Sequence, residues 1–239
     1  VHGCVKNSWK IVRIYRLDLS TSPHPRIDTY YVPKGVYAPT LLDLLEYIKD
    51  EMDQTIAYRR SCKKGSCGSC SVNVNKENVL SCCMHTDDYP KVIEIYPLPH
   101  MTVVKDLVTD MTDFFAKYKM TKPWLISDSS PKDGEYLQTP KERDMLDGLY
   151  DCVLCACCTT ACPNFWWNED TFVGPAALLN WCRWIVDSRD SDTYNRLLHL
   201  KNNSGINNCH TIFTCTTNCP KGLNPADVIS RLKVTMDRV

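Results

Sequence analysis

The chain has 239 residues, enough for one large domain or two of ordinary size. Its residues are 44% apolar and 23% charged, and 28 Lys plus Arg balance 28 Asp plus Glu, so the composition is globular and lacks the basic excess that bulk nucleic-acid binding needs. No apolar run reaches transmembrane length: the best candidate, AALLNWCRWIV at 176–186, is short and carries Arg183.

The chain begins at Val1 rather than Met, so a trimmed N-terminus is expected and no targeting peptide can be read. Period-two patterning in WKIVRIYRL (9–17) predicts a strand, and DTYYV (28–32) a second. TLLDLLEYIKDEM (40–52) reads as a helix with Thr40 as N-cap and Leu41, Leu44, Leu45, Ile48 and Met52 on its apolar face. SVNVN and VLSC flank a turn at 76–78 and suggest a hairpin, VIEIY (92–96) is a further strand, and YPLPH (96–100) reads as a linker. The second half reads as helical. Helical spacing runs through 103–118, a capping box of Thr139 and Glu142 opens 139–150, and Pro stands just inside helix starts at 174–188 and 224–237. The expected architecture is α+β: a strand-rich domain over 1–103 and an all-α domain over 104–239.

Fifteen cysteines are the outlying feature. Extracellular disulfides are one reading, but cysteines two apart in short runs chelate more readily than they pair, because bridging near neighbours is strained. Cys62, Cys67 and Cys70 read C-x4-C-x2-C with Cys82 further on, the spacing of plant-type [2Fe–2S] ferredoxins. Gly65 and Gly68 let that loop turn its amides toward the sulfurs. Zinc is the competing reading, but its ligands usually arrive as two short C-x2–4-C pairs.

Cys152, Cys155, Cys158 and Cys162 with Pro163 read C-x2-C-x2-C-x3-C-P, the bacterial ferredoxin run whose fourth cysteine ligates the other cluster. A second run follows at Cys209, Cys215, Cys219 and Pro220, with Ile212 where its second cysteine would stand. Crossing the ligands gives Cys152, Cys155, Cys158 and Cys219 a complete [4Fe–4S] site. It leaves Cys162, Cys209 and Cys215 with an apolar fourth corner, so a [3Fe–4S] cluster is expected there. Cys4, Cys83, Cys157 and Cys182 are unassigned; Cys157 and Cys182 read as small buried hydrophobes, and Cys83 is a competitor to Cys82.

Three unlike clusters in one chain make a graded electron relay. There is no G-x-G-x-x-G run, so flavin or nicotinamide is expected on a partner, and there is no haem attachment motif.

The stretches SCKKGSCGSC, YPLPHMTVVKDLV, ERDMLDGLYDCVLCACCTTACPNFWWN, DSRD and CHTIFTCTTNCPKGLNP resemble the iron–sulfur subunit of succinate dehydrogenase (respiratory complex II) and of quinol:fumarate reductase, with the mitochondrial-type form the closer. The resemblance spans nearly the whole chain. It implies a β-grasp [2Fe–2S] ferredoxin-like domain followed by a bacterial-ferredoxin-like domain. It also implies a flavoprotein partner that oxidises succinate on FAD, membrane-anchor subunits in which haem b is left open, and ubiquinone or another quinone reduced near the last cluster. The implied place is peripheral, on the matrix side of the mitochondrial inner membrane; the direction, succinate oxidation or fumarate reduction, is not set. The quinone pocket implied by the resemblance draws on Pro163, Asn164, Trp167, His210 and Ile212, with the Trp167 indole N–H as donor. Asn164 stands where the family usually has Ser. Lys63 and Lys64, with Arg59 and Arg60, form a basic patch beside the first cluster that reads either as a docking or potential-raising feature or as a solvated face. Trp166 reads as core or quinone side, while Trp181 and Trp184, three apart on a helix, read as core packing.

Overall fold

The computed structural model describes residues 9–128 and 130–236, so Cys4 lies outside the described residues. The division between two compact units falls between Asp110 and Met111.

The first unit is a five-stranded mixed sheet with a helix across it. The strands are β1 (Trp9–Arg16), β2 (Arg26–Pro33), β3 (Ser71–Val74), β4 (Glu77–Leu80) and β5 (Val92–Tyr96), in the order β2-β1-β5-β3-β4. β1 runs parallel to β5 and the other pairs are antiparallel. Helix α1 (Leu41–Glu51) starts at a capping box in which Thr40 accepts from the Asp43 amide. Its face of Leu41, Leu44, Leu45 and Ile48 meets Val12, Ile14, Val72, Val74, Ile93 and Ile95 in one core. Met52, expected on that face, is exposed, because the helix ends at Glu51 and Met52 leaves helical geometry. The β3–β4 turn is Asn75 and Lys76, one residue earlier than expected. Both have positive φ, 49° and 76°, the primed turn whose twist suits a hairpin.

The alternation of β1 carries two charged residues into the interior. The ammonium of Lys10 donates to the carbonyls of Thr86 and Tyr89, both at 2.7 Å, and of Pro90 at 3.2 Å. Arg16 donates to Asp28, Asp106 and Tyr30 at 3.1, 3.1 and 2.9 Å and also pairs with Asp53. Charges this deep persist only when fully partnered.

Residues 103–118 depart from the expected helix. They form a hairpin, β6 (Val103–Lys105) with β7 (Val108–Thr109), and only then helix α2 (Thr112–Met120). The cause is Asp106, buried at φ 48°. Its carboxylate accepts from Arg16 at 3.1 Å, from the Leu17 amide at 3.0 Å and from the Ala57 amide at 2.9 Å, and Leu107 enters the core. These long-range contacts override the local periodicity, so 96–100 is no interdomain linker and residues 104–110 stay with the first unit.

The second unit is helical: α2, then α3 (Pro140–Asp144), α4 (Cys157–Thr160), α5 (Pro163–Trp167), α6 (Pro175–Ile185), α7 (Thr193–Asn203), α8 (Thr214–Thr217) and α9 (Pro225–Met236). The Thr139 and Glu142 capping box is present, but its helix ends at Asp144 and gives way to turns through 150. α6 is buried along nearly its whole length and packs Leu178, Trp181 and Ile185 with Leu197 and Leu200 of α7 and Val228, Ile229 and Leu232 of α9. Trp184 is buried as expected. Helix α7 was not legible in the sequence. Its Arg196 is buried, pairs with Asp190 at 2.8 Å and donates to the Thr121, Lys122 and Trp124 carbonyls. Gly205, at φ +60°, lies where 204–206 crosses 171–173; a Cβ there would stand 2.0 Å from the Thr171 carbonyl oxygen. Among the described residues no helix is long and apolar enough to cross a membrane.

Candidate metal centres

Three groups of thiols emerge, and among the described residues every cysteine is free.

The first group sits in the loop before β3. Positive φ at Lys63, Gly65 and Gly68 curls the chain so that amides face sulfurs. The Ser66 and Lys64 amides lie 3.2 and 3.5 Å from the Cys62 sulfur, and the Gly65 amide lies 3.2 Å from that of Cys82. Cys82 is on the turn after β4, tied down by the Ser81 amide on the Cys70 carbonyl at 3.1 Å, and its sulfur is 3.3 Å from that of Cys70. Amide donation from the Cys62 backbone, then the Ser69 hydroxyl at 3.1 Å, draws the Cys67 thiol down to about 6. Burial pushes Cys70 up to about 11. Cys82 is buried while Cys83 is exposed, its sulfur 3.8 Å from that of Cys82. The Cys83 sulfur covers Gly65 so closely that a Cβ at Gly65 would meet it at 2.6 Å. The basic patch is largely spent inside the unit: Arg60 and Lys63 share Glu46 at 2.7 Å each, and Arg59 donates to the Thr109 carbonyl.

The second group brings both distant runs together. Cys152, Cys155, Cys158 and Cys219 line one small cavity of about 20 Å³, walled by apolar groups including Ala176, Leu179 and Leu223. Leu154 and Ala156 take positive φ, 54° and 64°, so the chain wraps this cavity. Cys157 does not line this cavity and is fully buried.

The third group is Cys162, Cys209 and Cys215. Burial pushes Cys215 up to about 11, and its neighbours Cys162 and Cys209 add to the effect. Cys162 is raised by burial against amide donation from Phe165 and Asn164, with Cys209 adding to the rise. Thr211 and Phe213 repeat the positive φ of the first run, at 55° and 65°. Ile212 lies between them and is half exposed.

Four thiolates around a cavity, and amides aimed at sulfur, suit a cluster of several irons. A single zinc draws its sulfurs to one point at about 2.3 Å, and among the described residues no group of three or more His, Cys, Asp or Glu is so arranged.

The quinone candidates divide. Trp167 is 74% exposed and its indole N–H has no partner among the described residues, and His210 and Ile212 are also exposed. Pro163 is half-buried as the first residue of α5. Asn164 is buried, with its Oδ1 unpaired. Trp166 spends its indole N–H on the Thr160 carbonyl at 2.6 Å, a structural use.

Two cysteine-rich units of these folds define a two-domain iron–sulfur protein of ferredoxin type. Residues 11–116 match the family described as a 2Fe-2S iron-sulfur cluster binding domain, and residues 151–224 the 4Fe-4S dicluster domain. The succinate dehydrogenase iron-sulfur subunit of Paracoccus denitrificans is 50% identical over 227 residues, 95% of this chain and 88% of that protein. The chain belongs to the family of succinate dehydrogenase iron–sulfur subunits, the electron-transfer component of that enzyme. In fold it is similar to a chain of the Mycobacterium smegmatis Sdh1 complex in the apo form, at 22% identity and a TM-score of 0.88 over 97% of each chain. A hypothetical protein from Helicobacter pylori is more distant, at 16% identity and a TM-score of 0.57 over 98% of this chain and 40% of the other.

Proposed function

We propose that Cys62, Cys67, Cys70 and Cys82 hold a [2Fe–2S] cluster, Cys152, Cys155, Cys158 and Cys219 a [4Fe–4S] cluster, and Cys162, Cys209 and Cys215 a [3Fe–4S] cluster. When bound, the three supply one-electron storage in series between a succinate-oxidising FAD subunit and quinone. The observation that carries this reading is the cavity shared by Cys152, Cys155, Cys158 and Cys219, which joins the two runs as crossed ligation requires.

The chain's own residues do the positioning. The Gly65 and Ser66 amides stabilise negative charge on the Cys82 and Cys62 sulfurs. The apolar cavity wall keeps water from the four-iron site and so supports a potential different from that of the exposed first loop. Ile212 offers iron no ligand, so the third site stays at three thiolates. Trp167, exposed and with a free N–H, donates to a quinone carbonyl at the membrane-anchor surface, where His210 and Ile212 are also available. Pro163 starts the helix that carries Trp167, and Asn164 Oδ1 accepts from a donor entering beside Cys162. The partners are then the flavoprotein subunit and membrane-anchor subunits, and the place is the matrix face of the mitochondrial inner membrane, which fractionation of the source cells tests.

Low-temperature EPR of the intact assembly tests the cluster assignment. The oxidised sample should show one signal that vanishes on mild reduction, and two more should appear at lower potential. Silence in every state, with zinc found by elemental analysis, overturns it.

A further inference from the structure

The first site holds one thiol more than its four ligands. Cys83 follows Cys82 in the three-residue turn after β4 (Ser81–Cys83), and its sulfur stands 3.8 Å from that of Cys82. Metal–sulfur bonds of about 2.3 Å in a tetrahedral site put two sulfurs about 3.8 Å apart. Cys83 is therefore no farther from Cys82 than one co-ligand is from another. Its place is also built into the ligand loop. Gly65, at φ +71°, presents its amide to the Cys82 sulfur at 3.2 Å, and a Cβ on the same residue would stand 2.6 Å from the Cys83 sulfur. The Cys83 thiol thus fills the space that a side chain at 65 would need, and both sulfurs lie against one residue of the loop. Apolar packing does not account for this. Cys83 is exposed and belongs to neither hydrophobic core, whereas Cys82 and Cys70, with sulfurs 3.3 Å apart, are buried.

We propose that Cys83 is an alternate iron ligand of the first site, able to take the place of Cys82. The inference rests on the ligand set proposed above. The exchange moves no electrons: the iron–sulfur bond to Cys82 breaks, one to Cys83 forms, and the proton that Cys83 releases goes to Cys82. Only a thiolate binds metal, so the two sulfurs hold one proton between them whichever is bound. The residues are adjacent on one turn, which the Ser81 amide ties to the Cys70 carbonyl at 3.1 Å. Changes of staggered rotamer at the two side chains exchange their sulfurs while the turn keeps its place.

The test compares Cys82→Ala, Cys83→Ala and the double variant in the assembled complex, by low-temperature EPR and iron analysis. Cys83→Ala should keep the two-iron signal on its resident ligands. Cys82→Ala should also keep a two-iron signal, with shifted g-values and midpoint, because a different sulfur is bound. The double variant should lose that signal and its iron, with the four-iron and three-iron signals kept throughout. A Cys82→Ala complex that retains those two signals and has no two-iron signal overturns the proposal. So does a double variant that retains the two-iron signal, since another group then supplies the fourth ligand. If the Cys82→Ala complex does not assemble, the purified full chain, reconstituted with ferrous iron and sulfide, is read the same way. Loss of the signal in Cys83→Ala, with Cys82→Ala unchanged, would make Cys83 the resident ligand and overturn both the exchange and the place of Cys82 in the ligand set. An unmutated complex with no two-iron signal at all would fail earlier, at the ligand assignment.

Discussion

Gly205→Ala tests how tightly the second unit is built around its third thiol group. Two costs add. An L-residue at φ +60° pays about 1–2 kcal/mol for the left-handed backbone. The new Cβ would also lie 2.0 Å from the Thr171 carbonyl oxygen and 2.8 Å from its carbon. These are backbone atoms, held in place by the Val173 amide on the Ser204 carbonyl at 3.1 Å, so they cannot swing aside as a side-chain tip can. Overpacking of this kind typically adds about 1–3 kcal/mol. The total, about 2–5 kcal/mol, is a large part of an ordinary domain's stability. Gly148→Ala is the control: its φ is +76° and a Cβ there meets nothing within 4 Å, so it carries the backbone cost alone. Calorimetry on both variants, with the three-iron EPR signal followed in parallel, separates the two costs. Gly205→Ala should melt well below Gly148→Ala and lose the signal associated with Cys209, four residues on. Equal melting temperatures would show that the 171–173 crossing yields freely and would refute the reasoning.

Cys162→Ser should damage the three-iron signal and spare that of the [2Fe–2S] cluster; equal loss of all three signals in a folded subunit would undo the crossed assignment. Trp167→Ala should leave succinate oxidation with an artificial acceptor largely intact and depress quinone reduction, since the side chain is 74% exposed and supports no core; unchanged quinone reduction removes its assigned role. In cluster-free protein, Cys67, drawn down to about 6, should alkylate with iodoacetamide along a curve that rises through pH 6 and is flat above 7. Cys70, pushed up to about 11, should still be gaining reactivity above pH 9. The sign for stability follows: the folded chain releases the Cys67 proton at lower pH than the unfolded chain does, so this thiol adds stability as pH rises from about 6 to 9, and the gain is lost as pH falls back through 6. A Cys67 alkylation midpoint near 9 would show that the amide and hydroxyl donors are not aimed at its sulfur.

The grouping of the cysteines was legible in the sequence, because their spacing is local chemistry written directly in residue types, and members of the runs at 152–163 and 209–220 meet at one cavity. The hairpin at 103–109 was not legible. Its apolar spacing suits a helix, and what defeats the helix is Asp106 meeting Arg16, ninety positions away. Helix α7 was hidden for a similar reason, since the charged Arg196 lies at the centre of its buried face. Trp166 and Trp167 look alike in sequence and part company only when one indole finds the Thr160 carbonyl.

The backbone of the two cysteine runs has a further consequence. Leu154 and Ala156 follow Cys152 at the same steps as Thr211 and Phe213 follow Cys209, all four turned left-handed, and the second of each pair is the N-cap of the helix that follows, α4 or α8. Such a pattern of non-glycine residues, repeated at one constant offset, is the mark of a duplicated segment. Where the copies differ in chemistry, at Cys155 and Ile212, they share the same bend of chain. Divergence after duplication therefore acted on a side chain and left the path alone.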